Sequence, residues 1–121
     1  MPISGAAIES LFDYEIMSRG FTVSAPRSET SPYDRVVDTK TRLYRVQIKG
    51  RRSYGKKSLV VKISKSDSSA YTIKDTDIVA LFIEEADAWY IFPIAECKRL
   101  VRINLSGGVK EKYKNNWQVF I

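Results

Sequence analysis

The sequence contains no histidine and a single cysteine, Cys97. The lack of histidine excludes Ser-His-Asp and Cys-His chemistry, histidine-ligated zinc and any histidine general base. One cysteine can form neither an internal disulfide nor a zinc finger, a pattern that fits a reducing compartment, so we expect a cytoplasmic protein. Because no histidine can activate its thiol, Cys97 is expected to be a small core residue. Hydrolytic chemistry in this chain must therefore depend on carboxylates, lysine and a hard metal ion.

Long apolar runs are also missing. No run approaches the roughly 18 residues that a transmembrane helix needs, so no membrane partner is expected. The N-terminus lacks the charged and apolar regions of a secretion signal. With 121 residues, 44% of them hydrophobic and 28% charged, the chain has the composition of one ordinary globular domain with a modest core. We therefore predict a single domain spanning residues 1–121.

Acidic residues are absent from the window 40–65, although the chain as a whole has 14 of them. This window, called here the basic window, holds ten of the 20 basic residues, and the formal net charge is +6. A long, unmixed run of positive charge favours binding to a polyanion; the alternative is a solvated basic face. The ten residues are Lys40, Arg42, Arg45, Lys49, Arg51, Arg52, Lys56, Lys57, Lys62 and Lys65.

An N-terminal helix is predicted from Pro2 and Ser4, with Ser4 as N-cap, to an end at Gly20. Two glutamates lie on or beside its apolar stripe: Glu15 near the centre and Glu9 at the edge. A carboxylate at a core boundary is costly unless it is paired or binds a metal. We expect Glu15 to form an ion pair with an arginine and Glu9 to belong to a site. The stripe consists of Ile8, Leu11, Phe12 and Ile16.

The rest of the chain alternates strand patterns with turn residues, and 77–83 is apolar enough for a strand buried on both faces. No glycine-rich dinucleotide fingerprint occurs, which argues against a Rossmann fold. We predict an α/β (α+β) domain with the N-terminal helix packed on a mixed sheet of about six strands. The apolar C-terminal end, 117–121, is expected to dock on the body or on another subunit. Strand patterns cover 21–25, 34–38, 43–49, 59–63, 77–83, 88–93 and 100–105.

The stretch from Asp34 to Lys49 carries the chemistry. Residues 43–49 alternate strictly, so Gln47 and Lys49 lie on one face of a strand, about 7 Å apart. A hairpin with the short strand 34–38 can set Asp34 beside them. A carboxylate, a second oxygen ligand and a lysine then converge, which is the set that a metal-dependent phosphodiesterase requires.

These residues resemble the PD-(D/E)XK nuclease motif, which stands here as Ser31-Pro32-Tyr33-Asp34 followed by Gln47-Ile48-Lys49. The Pro-Asp pair of the motif is split by Tyr33, and the second acid is replaced by Gln47. Such Q-x-K variants look most like small group I intron-encoded homing endonucleases, with archaeal Holliday-junction resolvases as more distant relatives. These nucleases also carry a helix-1 glutamate about three turns before a Gly-Phe-x-Val strand. The corresponding residues here are Glu9 and Gly20-Phe21-Thr22-Val23.

The resemblance implies a restriction-endonuclease-like core and a Mg²⁺- or Mn²⁺-dependent DNA endonuclease. Asp34, Gln47 and Glu9 would hold the metal or its water, and Lys49 would stabilise the phosphate. A junction resolvase of the same superfamily, a non-catalytic DNA-binding module with a decayed site and a protein-interaction domain remain alternatives. The partners would be double-stranded or branched DNA and, because one site cuts one strand, further copies in a dimer or tetramer.

Two loops are candidates for contact with DNA. The loop before Asp34 contains Arg27 and Ser31, and the loop after Lys49 contains four basic residues between or beside Gly50 and Gly55. These two glycines indicate a flexible loop, either an arm that lies in a groove or a solvated hairpin tip. The four residues, called here the basic quartet, are Arg51, Arg52, Lys56 and Lys57.

Overall fold

The computed structural model describes residues 3–121, so Pro2 lies outside the described part. The N-terminal helix, α1, spans Gly5–Met17, and the Ser4 hydroxyl accepts a hydrogen bond from the Ala7 N–H at 3.2 Å, as expected of an N-cap. Its buried residues are Ile8, Phe12 and Ile16. Leu11, predicted in the stripe, is 39% exposed, so the buried stripe is narrower than predicted and the two glutamates flank it.

Seven strands form two sheets within the described residues 3–121. The predicted helix on a mixed sheet is confirmed, with five strands in that sheet, in the order β1-β2-β3-β5-β6; β4 pairs with β7 in a separate two-stranded sheet. The strands are β1 (Thr22–Ser24), β2 (Arg35–Asp38), β3 (Leu43–Arg51), β4 (Ser58–Lys62), β5 (Ile78–Ile83), β6 (Ala88–Pro93) and β7 (Leu100–Asn104).

The central pair of the large sheet, β3 and β5, is parallel, and all other neighbours are antiparallel. Every residue of β5 is buried, as the apolar run predicts. One face of the sheet packs against α1, through residues such as Val46, Ile48 and Ala80. The opposite face of β5 and β6 is covered by the two-stranded sheet. Each face thus has its own hydrophobic core, and β5 and β6 contribute buried residues to both.

The C-terminal segment returns to the α1 face. A 3-10 turn at Trp117–Phe120 buries both end residues beside Phe12, and the rings of Phe12 and Trp117 lie 6.1 Å apart. The first expected alternative, docking on the body of the chain, is therefore confirmed. At this end Ile121 is 89% exposed and Val119 is half-buried. Within residues 3–121, no helix has the length and apolarity to cross a membrane.

Candidate active site

The β2–β3 hairpin brings Asp34 to the middle of β3. Arg35 is paired with Val46 in the antiparallel register, and the Asp34 N–H donates to the Val46 carbonyl at 2.8 Å. Asp34 therefore lies just before the first ladder pair of β2, beside residues 46–48 of β3. The charge of Asp34 acts on both Lys49 and Tyr71, so its carboxylate lies within electrostatic reach of the face that carries Gln47 and Lys49.

The Asp34 carboxylate is fixed by a main-chain bond. Its Oδ2 accepts a hydrogen bond from the Ile48 N–H at 2.8 Å. Asp34 precedes β2, so here the carboxylate accepts the bond from β3 in place of a strand carbonyl. Among the described residues, the other oxygen, Oδ1, accepts no hydrogen bond. The acid is thus held at the residue between Gln47 and Lys49, with one oxygen available for a ligand.

Gln47 and Lys49 flank Ile48 on the face away from α1, and both are half-buried. The Gln47 amide makes only one marginal contact, 3.5 Å to the Ile48 carbonyl. Burial lowers the pKa of Lys49, and the nearby charge of Arg51 lowers it further, while Asp34 acts in the opposite direction. The lysine therefore lies in a partly desolvated position within the electrostatic reach of Asp34.

Tyr71 is a neighbour of this site that the sequence did not reveal. Its ring centroid lies 5.8 Å from the Lys49 ammonium, and the phenol is half-buried. Burial raises the pKa of Tyr71, and the charges of Asp34 and Asp75 raise it further. Tyr71 thus covers one side of Lys49, and no local pattern in its polar surroundings could have indicated this contact.

Arg45 ties the segment that carries Tyr71 to the sheet. Its guanidinium bonds to both carboxylate oxygens of Asp77, at 3.2 and 3.1 Å, and to the Lys74 carbonyl at 3.1 Å. Burial alone would raise the pKa of Asp77, but the bonds from Arg45 outweigh it and the pKa is lowered. This member of the basic window is therefore a structural anchor for the wall of the site.

Glu9 lies behind the site, in an ion pair with Arg35. Arg35 Nη1 donates to Glu9 Oε1 at 3.0 Å and to the Asp34 carbonyl at 2.8 Å. Its Nε and Nη2 donate to the two oxygens of Asp13 at 2.9 and 3.3 Å. Burial would lower the pKa of Arg35, but Asp13, Glu9 and Asp34 together raise it. Glu9 is thus linked to Asp34 through one arginine, which engages one of its two carboxylate oxygens.

The donors at this site fit a hard divalent cation bound by few protein ligands. Asp34 Oδ1 and the Gln47 amide oxygen are of the type that Mg²⁺ prefers, and Mg²⁺ commonly takes its other ligands from phosphate and water. No group of three or more His, Cys, Asp or Glu residues within 3–121 is arranged to hold a metal. With Gln47 neutral and Glu9 paired, Asp34 supplies the anionic charge, so metal affinity without DNA should be low.

The predicted DNA-contact residues lie in the loop that leads into Asp34 and at the end of β3 and in the loop that follows it. Arg27 is exposed in the loop between β1 and β2, and the Ser31 hydroxyl accepts a long bond, 3.4 Å, from the Tyr33 N–H. Arg51, Lys56 and Lys57 are exposed and Arg52 is half-buried, its guanidinium 5.0 Å from the Tyr54 ring centroid. Arg51 follows Lys49 by two positions, so the basic quartet begins on the face of the site.

Two residues expected to be structural have that role. Glu15 Oε1 lies 2.9 Å from Arg19 Nη1, which confirms the predicted ion pair with an arginine. Cys97 packs against the core under the two-stranded sheet, and burial raises the pKa of its thiol to about 11. The thiol is therefore protonated near neutral pH, as expected for a core residue.

Comparison with solved structures defines the class of this fold. The structure of the bacterial homing endonuclease I-Ssp6803I superimposes with a TM-score of 0.81 at 20% identity, over 95% of this chain and 88% of that chain. Hjc, a Holliday junction resolvase from the archaeal hyperthermophile Archaeoglobus fulgidus, superimposes with a TM-score of 0.57 at 19% identity, over 84% of each chain. The fold is therefore restriction-endonuclease-like, as the resemblance implied.

The sequence itself assigns the family. A model of the family described as PD-(D/E)XK endonuclease matches residues 5–119, which is nearly the whole chain. No curated protein sequence matches significantly. This chain belongs to the PD-(D/E)XK endonuclease family.

Proposed function

We propose that this chain is a Mg²⁺-dependent DNA endonuclease of the homing type, with residues 1–121 acting as one nuclease domain. The observation that carries the proposal is the bond from the Ile48 N–H to Asp34, which holds the acid beside the residue that separates Gln47 from Lys49. The basic quartet begins on the face of Gln47 and Lys49 and supplies positive charge for the phosphate backbone. The likeness to I-Ssp6803I, a bacterial homing endonuclease, supports the substrate class.

Each residue of the site has a separate task. Asp34 Oδ1 and the Gln47 amide oxygen would hold Mg²⁺ or Mn²⁺, which when bound supplies charge stabilisation at the phosphate and a more acidic water. Lys49 donates hydrogen bonds to the phosphate oxygens and orients the attacking water, and its partial burial strengthens that interaction. Glu9 helps to hold the water shell when it exchanges its single bond from Arg35 for one from a water.

The substrate is double-stranded or branched DNA, and the protein acts as a homo-oligomer, a dimer or a tetramer. One site of this size cuts one strand, so cleavage of both strands requires two copies. The likeness to the Hjc resolvase makes a four-way junction the second candidate substrate. A junction cleaved in preference to linear duplex under the same conditions would establish the resolvase alternative.

Cleavage assays test the chemistry. Supercoiled plasmid and a pool of randomised duplexes are incubated with Mg²⁺, with Mn²⁺ and with EDTA, and nicked products are sequenced. We expect metal-dependent cleavage that Asp34→Ala and Lys49→Ala each reduce by about 100-fold or more, because both act at the reacting phosphate. DNA affinity should stay within about threefold, since it comes from dispersed phosphate contacts.

Matched variants separate the site from general effects. Glu15 lies on the same helix as Glu9 and pairs with Arg19. Glu15→Gln therefore removes one acid from this helix and should leave cleavage unchanged. Gln47→Glu adds the usual acid and should lower the Mg²⁺ concentration needed for cleavage. Wild-type cleavage rates in Asp34→Ala would refute the nuclease assignment. Binding without cleavage of any substrate would favour the non-catalytic alternative.

A further inference from the structure

The loop between β3 and β4, residues 52–57, is called here the basic loop. Its main chain is held against the body of the protein by the carboxylate of Glu85. The carboxylate of Glu85, in the turn between β5 and β6, accepts hydrogen bonds from the main-chain N–H of Ser53 at 2.7 Å and of Tyr54 at 2.5 Å. The bond from Ser53, aided by that from Tyr54, holds the pKa of Glu85 below its usual value. Glu85 is therefore ionised at neutral pH, and one side chain holds two consecutive loop residues.

Further contacts give this loop one shape. Ser53 is 3% exposed, and its carbonyl accepts from the Lys56 N–H at 3.0 Å. Tyr54 and Gly55 both have positive φ, 52° and 79°, which closes a tight turn. The Lys57 carbonyl accepts from the Leu105 N–H at 2.7 Å. The prediction of a flexible loop did not anticipate these contacts, and Gly50, one of its supposed hinges, lies inside β3.

The fastened loop forms one wall of an open groove. The other wall comes from β4 and from Arg102 on β7, and no acidic residue lines this groove among the described residues. Its cations are Arg51, Arg52, Lys56 and Arg102. An ordered row of cations loses less conformational entropy on binding a phosphate chain than a mobile row does.

We propose that Glu85 is a positioning residue for DNA binding, which orders the basic loop so that its cations face the phosphate backbone. This inference rests on the proposed function. It makes a prediction opposite to that of simple electrostatics. Removal of a negative charge beside a basic surface normally strengthens the binding of DNA, whereas removal of Glu85 should weaken it.

Fluorescence anisotropy with a labelled duplex, in EDTA and at low salt, tests the proposal. Glu85→Ala should weaken binding by about tenfold, because two charge-assisted bonds that preorder the loop are removed. Glu85→Gln retains one acceptor oxygen, so its affinity for DNA should lie between those of the wild type and Glu85→Ala. Asp87→Asn is the matched control: it removes one negative charge from the same turn, and the Asp87 side chain makes no bond to the loop. Its affinity should equal or slightly exceed that of the wild type.

Combination with the quartet variant, in which Arg51, Arg52, Lys56 and Lys57 are all changed to Gln, isolates the positioning role. Glu85→Ala should add little further loss there, because the cations it positions are gone. Thermal unfolding and amide exchange at Ser53 and Tyr54 show whether the loop alone has loosened. If the quartet variant binds weakly but Glu85→Ala binds as well as Asp87→Asn, the inference is overturned. If the quartet variant binds like the wild type, the proposed use of this loop fails as well.

Discussion

Arg35 is the residue on which the helix, the hairpin and the site converge. It meets two carboxylates of α1 and the carbonyl of Asp34, so the helix and the start of the hairpin share one guanidinium. The two partners are not equivalent, because Asp13 receives two bonds and Glu9 one. A bidentate pair is the stronger and better oriented of the two. Asp13 can therefore keep Arg35 in place while Glu9 gives up its single bond.

A paired substitution separates these two acids. Glu9→Gln and Asp13→Asn each remove one negative charge from the same arginine. If Glu9 serves the metal and its waters, Glu9→Gln should slow cleavage by about 100-fold and raise the Mg²⁺ needed for half-maximal rate, because few other anions are available. Asp13→Asn should lower thermal stability but slow cleavage by less than about tenfold. Equal effects of the two variants on rate and on Mg²⁺ dependence would restrict Glu9 to holding Arg35.

Single residues differ in how far the sequence could predict them. The period of two that sets Gln47 and Lys49 on one face and the hairpin that brings Asp34 beside β3 are both local, so both could be predicted. Tyr71 reaches Lys49 from a polar stretch without a repeating pattern, and Glu85 reaches Ser53 across 32 residues. Such contacts depend on how distant segments pack, which a single sequence does not encode in a readable form.

At the level of elements, β3 determines how closely α1 approaches the sheet. A Cβ built on Gly50 would lie 2.1 Å from Ile8 Cδ1, far inside contact distance. Ile8 is buried, so its side chain has little room to move aside. The glycine that looked like a loop hinge is thus a packing residue, and it lets α1 lie against the strand that carries Gln47 and Lys49.

This packing predicts a compensating pair. Gly50→Ala should destabilise the fold by about 1–3 kcal/mol through overpacking, and Ile8→Val by about 0.5–1.5 kcal/mol through removal of a methyl group. In the double variant the missing Cδ1 makes room for the new Cβ, so the destabilisation should be smaller than the sum. Urea unfolding measures all three, and Gly5→Ala, where a Cβ meets nothing within 4 Å, is the control. If the destabilisations of the two single variants add in the double variant, the Ile8 side chain does not limit the size of the residue at position 50.

The elements themselves were largely predictable, and their assembly was less so. The helix, the hairpin strands and the buried strand β5 have clear periodicity, and each was found within a few residues of its predicted bounds. The separation of β4 and β7 into a second sheet was not predicted. Both strands partly alternate buried and exposed residues. Such alternation indicates which face of a strand is apolar, but it does not indicate which sheet the strand joins.

At the scale of the whole molecule, positive charge is divided between anchors and free cations. Arg45 in the basic window is bonded to Asp77, and Lys65 lies 3.2 Å from Asp75. Outside the window, Lys112 and Lys114 have acids within 3.9 Å. The basic quartet is different, because none of its four members forms an ion pair with a described residue. The net charge of +6 is therefore unevenly available: the positive charge that can bind phosphate is higher at the basic quartet than where cations are paired with acids.

The salt dependence of DNA binding should report this division. The logarithm of the association constant should fall linearly with the logarithm of salt concentration, with a slope that counts neutralised phosphates. Changing the basic quartet to Gln should make the slope shallower by up to about four, roughly one for each phosphate that is no longer neutralised. The control is Lys112→Gln with Lys114→Gln, which removes cations that already have acidic neighbours, and its slope should change by less than about 0.5. Anisotropy titrations between about 50 and 200 mM salt in EDTA measure both. Equal slopes in the quartet variant and the wild type would place the phosphate-binding surface elsewhere on the molecule.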